Sequence, residues 1–365
     1  MTLHAIRRAF LLAVAACALP ALAPVSVARA DDGEMPALQY RLLADAARAH
    51  AAQAPSPDFP AIPPEQGYAV NKLAGRAYWV TDGVYESMFA VTPRGVAVMD
   101  APPTIGRNLV RAIRSVTRKP VRWFIYSHSH ADHVGSAHLF RGATFIAQRD
   151  TAELLRAAHD RNRPVPTRTF ARELNLNLGG ERIDLRYPGP NHEDGNTFIW
   201  LPRERILMAV DIVFAGHAPF RNLAVSTDIP GWIKAHDQIL RYPFRRLLGG
   251  HFGLSTREDV VRQRAYVQDL RKQAAAGLVA VDFPALVGQI GFAHPWKLFD
   301  AYLDATTRYC AQHVLPTWSS RLQEADVFTE DNCLTMAESL RIDSDVLGPF
   351  GERFLKPARE IRLRR

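Results

Sequence analysis

The stretch FIYSHSHADHVGSAH, residues 124–138, decides how this chain is read. It begins as an apolar β-type run and then carries four histidines, His128, His130, His133 and His138, around Asp132. His128 and His130 are two apart at the mouth of a strand. In extended backbone, residues i and i+2 point to the same side, so both imidazoles can reach one ion. Asp132 and His133 follow where the chain enters DHVGSAHLF, a helix start with an acid in its first turn. Neighbours at such a turn point differently from the first pair and can serve a second ion. Imidazole and carboxylate donors with no thiolate suit zinc, with iron or manganese as alternatives.

Working outward, the 365 residues suffice for one large domain plus an appendage, or for two domains. With 47% hydrophobic residues, general disorder is excluded. The net charge of +8 falls to +5 without Arg7, Arg8 and Arg29 of the N-terminal 30 residues (42 basic against 37 acidic side chains), a mild excess that reads as a solvated surface and gives no case for a nucleic-acid partner. Residues 1–30 read as a signal peptide: Arg7 and Arg8, an apolar run, then Ala28-Arg29-Ala30 before Asp31. That implies a periplasmic or secreted protein. RRAFLL has twin-arginine character and Cys17 resembles a lipoprotein site, but the apolar run continues past Cys17, which favours cleavage after Ala30. No later segment is long and apolar enough to span a membrane. In an oxidising compartment Cys310 and Cys333 are able to pair, although spacing alone does not decide it.

Residues 31–67 read as a helix over 36–53 followed by a connector carrying five prolines, Pro55 to Pro64. From residue 68 the period is two. RAYWVTDG, VYESMFAVT and GVAVMD form a meander, TIGRNLVRAIRSVT a helix, VRWFIYS and ATFIAQ strands, and RDTAELLRAAHD a helix. A second β-rich block follows from about residue 170, with ERIDLRYPG, NTFIWLP and RILMAVDIVF, then helix GWIKAHDQILRY and RRLLGGHFG. After about Ser255 the pattern is helical to the end.

Three more candidate ligands stand at exits of apolar strands. His192 lies in the Gly/Pro-punctuated loop RYPGPNHEDGN. Asp211 ends the run RILMAVD, a costly place for an unpaired carboxylate. His251 follows two glycines in RRLLGGHFG. The series His-x-His-x-Asp-His, lone His, Asp, Gly-His, together with GPNHEDGNTFIWLPRERIL, resembles the metallo-β-lactamase-fold hydrolases over residues 68–255. The resemblance implies an α/β fold, an αββα sandwich with the site at one edge between the sheets. Residues 256–365 then form a mainly helical extension, which in relatives shapes the substrate cleft or makes a dimer, so a homodimer through it is one of two expectations.

By the same resemblance, His128, His130 and His192 hold one zinc, Asp132, His133 and His251 hold the second, and Asp211 bridges. Asp100 matches a strand-end aspartate that orients a ligand histidine. The implied activity is an exported zinc hydrolase acting on a small molecule. A hydroxide shared by the ions attacks an ester, lactone, thioester or amide-type bond, and Asp132 serves as the catalytic proton carrier. Two alternatives remain open. One is a mononuclear-iron enzyme like the persulfide dioxygenases; the other is a non-catalytic periplasmic zinc-binding accessory protein.

Within the resemblance two departures bear on substrate. Asp211 stands where one lactamase subclass has Cys. Phe214 stands where that subclass often has a Lys for the β-lactam carboxylate, and where many homoserine-lactone lactonases have Tyr. The pattern is closer to the broad hydrolase branch, with weak β-lactamase activity expected. His217, Phe220 and Arg221 are candidate pocket residues. Phe292, Trp296, Phe299 and Tyr302, at near-helical spacing, read as core packing of the extension.

Overall fold

The computed structural model describes residues 61–350. The signal-peptide reading, Cys17, the 36–53 helix, most of the proline connector and the tail after Phe350 lie outside them. The first sheet has seven strands in sequential order, β1 (Ala69–Ala74), β2 (Ala77–Thr81), β3 (Glu86–Thr92), β4 (Gly95–Met99), β5 (Val121–Ile125), β6 (Thr144–Gln148) and β7 (Arg168–Phe170). Pairing is antiparallel from β1 to β4 and parallel from β4 to β7. The second sheet has the order β12-β11-β10-β9-β8, from β8 (Glu173–Asn177), β9 (Arg182–Arg186), β10 (Phe198–Leu201), β11 (Ile206–Met208) and β12 (Arg246–Leu248).

Period-two alternation sorts these strands into layers. On β4, Ala97 and Met99 face the second sheet, while Val96 and Val98 face outward onto Leu109 and Ile113 of α1 (Arg107–Val116). On β10, Ile199 and Leu201 join the core between the sheets, whereas Phe198 and Trp200 pack outward against helices. The three apolar layers produce the αββα sandwich. The outer helices of the second sheet are α4 (Ile229–Ile239), α5 (Arg257–Ala280), α7 (Pro295–Trp318) and α8 (Ala325–Asp343). Two short helices, α2 (Ala131–Val134) and α3 (Arg149–Ala158), follow β5 and β6.

The extension therefore shares one apolar core with the second sheet. Phe198, Trp232, Tyr266, Tyr302 and Met336 belong to the same cluster. A disulfide, Cys310–Cys333, with Cα atoms 5.9 Å apart, ties α7 to α8. Thr256 caps α5 reciprocally with Asp259, a capping box. Among the described residues no single helix is long and apolar enough to cross a membrane.

Several readings change. Strand β11 stops at Met208, so Asp211 stands beyond the strand rather than at its end. Pairing with β12 is exhausted at Leu248, and Asp211 turns to φ 61°. Strands β1 and β7 carry too little alternation to be singled out, and β8 (ELNLN), although it alternates, falls inside the β-rich block without being separated from β9. The four aromatics of the extension do not form one core face: Tyr302 is fully buried, but Phe292 and Trp296 are 71% and 82% exposed. They border α6 (Phe283–Ile290), which buries none of its residues.

At the β8–β9 and β10–β11 turns, Glu181 and Glu204 are both buried. None of their four oxygens has a hydrogen-bond partner among the described residues, and Arg76 Nε lies 3.9 Å from Glu181. Burial first, then Glu204, pushes the Glu181 carboxyl up to about 7. The folded state thus holds a proton that the unfolded chain releases near its ordinary value of ~4.3. Stability is expected to fall as pH rises between those two values. Glu181→Gln should raise Tm above pH about 7 and change it little in acid. Thermal melts across that range check this, and equal effects at both ends would contradict it.

Candidate metal centre

Loops at one end of the two sheets bring all seven sequence-derived residues together. Donor atoms of His128, His130, His192 and Asp211 lie within 4.8 Å of one another, and so do those of Asp132, His133 and His251. Asp211 stands between the groups. Its Oδ2 is 3.4 Å from His128 Nε2, 3.2 Å from His192 Nε2 and 3.1 Å from His133 Nε2, and its Oδ1 is 3.1 Å from His251 Nε2. Asp132 and His130 are the open members, with 46% and 34% of their side chains exposed.

The chain's own geometry builds this. Asp211 and Asp100 both adopt left-handed backbone, φ 61° and 59°, which aspartate tolerates better than most residues. Gly250 has φ +92°, and a Cβ there would meet Val210 and the His133 ring. Glycine therefore lets the loop before His251 press against His133.

Three histidines have their tautomer set by a neighbour. Ser127 Oγ donates to Asp100 Oδ2 (2.6 Å), so it accepts from His128 Nδ1 (2.8 Å) and leaves Nε2 free. That Nε2 is buried without a hydrogen-bond partner, as is Asp211 Oδ1. His130 Nε2 faces Glu193 Oε1 at 3.2 Å, leaving Nδ1, 3.0 Å from His192 Nε2. Ser226 Oγ donates to Leu223 O and so accepts from His192 Nδ1 at 3.5 Å. The lone pairs left over converge on the two groups, the pattern expected where outer partners orient metal-binding imidazoles. The donor set fits divalent ions.

The family model for the metallo-β-lactamase superfamily matches residues 81–251, the span that contains every one of these side chains. This span of the chain belongs to the metallo-β-lactamase superfamily.

Among its relatives is the 2,4-dinitroanisole O-demethylase subunit alpha of Nocardioides sp. (strain JS1661), 34% identical over 202 residues, which is 53% of this chain and 61% of that protein. The Metallo-beta-lactamase type 2 of Elizabethkingia meningoseptica is 25% identical over 171 residues, covering 45% of this chain and 68% of its own length. The solved metallo-beta-lactamase from Pontibacter korlensis superposes with a TM-score of 0.48 at 22% identity, over 54% of this chain and 97% of that one. Proteins of this superfamily are mostly hydrolases or related enzymes.

Charge in this superfamily site is steeply partitioned. Burial holds the His128 imidazolium down to about 4, and burial also lowers His130. Burial opposes charge on His133 too, but Asp211 and then Asp132 and Asp100 outweigh it and raise the group to about 9. For Asp211 and Asp132, burial alone would favour the neutral acid; His133 foremost overrides it, and both are lowered, Asp211 well below the carboxylate range.

Asp100 does not touch a ligand-type histidine. It acts through Ser127, accepting both the Ser127 N–H (2.8 Å) and Oγ–H. Two neighbours escaped the sequence reading. Glu193 also accepts from Ser129 N (2.7 Å) and Oγ (2.6 Å), and its position directly after His192 was the available signal. Tyr85 donates to Asp132 Oδ2 at 3.4 Å, and its ring lies 4.7 Å from that of His251. Its turn is marked by Asp82-Gly83, but nothing in the sequence marks the tyrosine as facing the site.

Of the candidate pocket residues, only Phe220 adjoins a donor, its ring 6.2 Å from His251. His217 turns to Glu324 (2.6 Å) and stacks on Phe252. Arg221 points to Asp331 of α8 (2.9 Å) and is 68% exposed. Each is drawn away by an acid on the extension. After Phe220 the segment Arg221–Val225 makes a left-handed turn, with Asn222, Leu223, Ala224 and Val225 at φ 58°, 50°, 61° and 55°. Such residues cost ~1–2 kcal/mol each. Asn332 of α8, fully buried, offsets part of this: it accepts from Leu223 N (2.8 Å) and donates to Pro219 O (2.7 Å). The extension thus holds the turn that runs from His251 to His192. Asn332→Ala should destabilise the fold by roughly 2–3 kcal/mol, since it orphans buried backbone groups, and should weaken metal retention. Melting curves with metal titration check this; unchanged values would mean the turn holds itself.

Proposed function

We propose that this chain is an exported, zinc-dependent hydrolase with a two-ion site. The observation that carries the reading is the Asp211 carboxylate set among four histidine nitrogens at 3.1–3.4 Å, joining the two donor groups. His128, His130 and His192 would hold one ion and Asp132, His133 and His251 the other, with Asp211 facing both. Bound there, two divalent ions supply Lewis acidity and lower the pKa of water from ~15.7 to ~7.

The chain's residues supply the rest. Asp132, half open and held ionised, is placed to orient the attacking water and carry its proton to the leaving group. Tyr85 braces it. Among the described residues the serine hydroxyls beside the donor groups are engaged: Ser129 with Glu193, Ser127 with Asp100 and Ser226 with Leu223 O. The Cys310–Cys333 disulfide supports export, since such bonds persist in oxidising compartments.

The substrate reading is an uncharged ester, lactone or thioester. Buried Phe214, its ring 5.8 Å from His251, offers no cation to a β-lactam carboxylate, and Arg221 is engaged with Asp331. A missing charged hydrogen bond costs ~1.5–3 kcal/mol, about ten- to a hundredfold. A second reading comes from the demethylase relative: hydrolysis of an activated aryl methyl ether to the phenol and methanol. The test is kcat/KM of the zinc-loaded chain on an ester, a lactone, a thioester, 2,4-dinitroanisole, a penicillin and a carbapenem. The β-lactams should be the poorer substrates. A β-lactam that is best by a wide margin overturns the argument from Phe214, and no turnover at all favours an accessory metal-binding protein.

A further inference from the structure

Strand β11 ends at Met208, and the last backbone bond toward β12 runs from Asp211 N to Gly249 O at 3.0 Å. The loop that begins there is held from the other side by side chains of two helices. Trp232 Nε1 of α4 donates to Asp211 O at 2.9 Å. Gln263 Nε2 of α5 donates to Ile212 O, and Gln263 Oε1 accepts from Phe214 N at 2.9 Å. His236 of α4 fixes which way the Gln263 amide points. Its Nδ1 donates to Trp232 O (3.1 Å), so its Nε2 accepts the second N–H of Gln263 (2.8 Å). Burial holds the His236 imidazolium down to about 4, which keeps that nitrogen an acceptor at neutral pH.

Trp232, His236 and Gln263 are all fully buried beside the apolar cluster that joins the second sheet to the extension. Polar side chains are costly in such a core unless paired. These are paired with one another and with main chain, and each acts on Asp211 through the loop backbone. That backbone needs holding. Asp211 is left-handed at φ 61°, a conformation with a steric cost for any residue that carries a Cβ. On the opposite side Gly249 admits Val213 O where a Cβ would stand. A metal site works only if its donors are held within about 0.5 Å by what lies behind them. The Asp211 oxygens meet four imidazole nitrogens at 3.1–3.4 Å, so a small turn of the loop would break several of these approaches together. Gln263 lies beyond residue 251, where the family match ends. The extension thus contributes support that the matched span does not contain.

We propose that Trp232 and Gln263, with His236 setting the orientation of Gln263, are positioning residues that aim the Asp211 carboxylate between the two donor groups. The metal centre of this chain then depends on helix α5 of the extension. The inference rests on Asp211 serving both groups, as proposed above.

The test uses the full chain with zinc and cobalt(II) as probe ions. Chelator competition gives metal affinity, the visible absorption of the cobalt form reports ligand geometry, and thermal melts report stability. Gln263→Met, close in size, should weaken metal binding about 10-fold, the low end of the 10–100-fold typical of supporting partners because it acts through backbone, and should shift the cobalt bands. Trp232→Phe should act in the same direction. It removes one hydrogen bond and little volume, so it carries the test if Gln263→Met does not fold. Leu270→Ala is the control for stability alone. It opens a cavity in the same helix and the same cluster, and its side chain cannot hydrogen-bond to the loop. It should lower the melting temperature and leave affinity and bands unchanged. Wild-type affinity and bands in either polar variant that folds overturn the proposal. So does an equal loss of affinity in Leu270→Ala, which would trace the effect to general stability. A wild type that binds one ion at saturation sinks the two-ion reading instead, and the affinity of the variants for that ion still judges the positioning role.

Discussion

Asp132→Ala is expected to lower turnover by at least ~10²-fold, the lower range for lost general acid–base help, while the chain keeps its fold. Asp132 sits in the first turn of α2 with 46% of its side chain exposed and belongs to none of the apolar core clusters. Its carboxylate is 3.4 Å from His133 Nε2 and accepts from the Tyr85 hydroxyl. Truncation removes a donor of the second group and the group best placed to move a proton. Asp132→Asn separates these roles, because it keeps one oxygen donor and abolishes proton transfer. The measurement is kcat and bound metal for both variants beside a thermal melt. A near-normal rate in Asp132→Ala would remove the residue from the mechanism.

Asp211→Asn is expected to weaken metal binding by more than ~100-fold, beyond the 10–100-fold typical of losing a supporting partner, and to abolish activity. Among the described residues Asp211 is the one carboxylate within reach of both groups, and the neutral amide cannot balance two dications there. The side-chain volume is nearly unchanged, so the main loss is charge. Wild-type protein should carry close to two equivalents under zinc saturation, and the variant fewer. Elemental analysis and competition with a chelator provide the readout. Two ions retained at unchanged affinity would show that Asp211 does not join the groups. A wild type that holds only one ion under saturation would sink the two-ion reading itself.

Much of the site was legible because its chemistry is local. His128, His130, Asp132 and His133 are close in the chain, so the strand exit and helix start place them with little help from elsewhere. His192, Asp211 and His251 were visible as polar residues after apolar runs, where an unpaired group is costly. Their supporters were not legible in the same way. Ser127 and Asp100 are 27 positions apart and Ser129 and Glu193 64 apart, and serine and glutamate are too common to stand out. The pocket reading of His217 and Arg221 failed for a related reason. Both are drawn to acids more than a hundred positions later, Glu324 and Asp331.

Spacing and period alone determined the two blocks of strands, the helical end and the cluster of donors at strand exits, because alternation, turn residues and i, i+2 geometry are properties of a few consecutive residues. Only the tertiary structure decided where β11 stops, which nitrogen of each histidine stays free, the pairing of Cys310 with Cys333, and the left-handed turn held by Asn332. It likewise decided that Phe292 and Trp296 face outward while Tyr302 is buried. Each of these depends on what lies across a gap from the residue. Such a partner is set by how sheets and helices close on one another, and the identity of the residue does not reveal it.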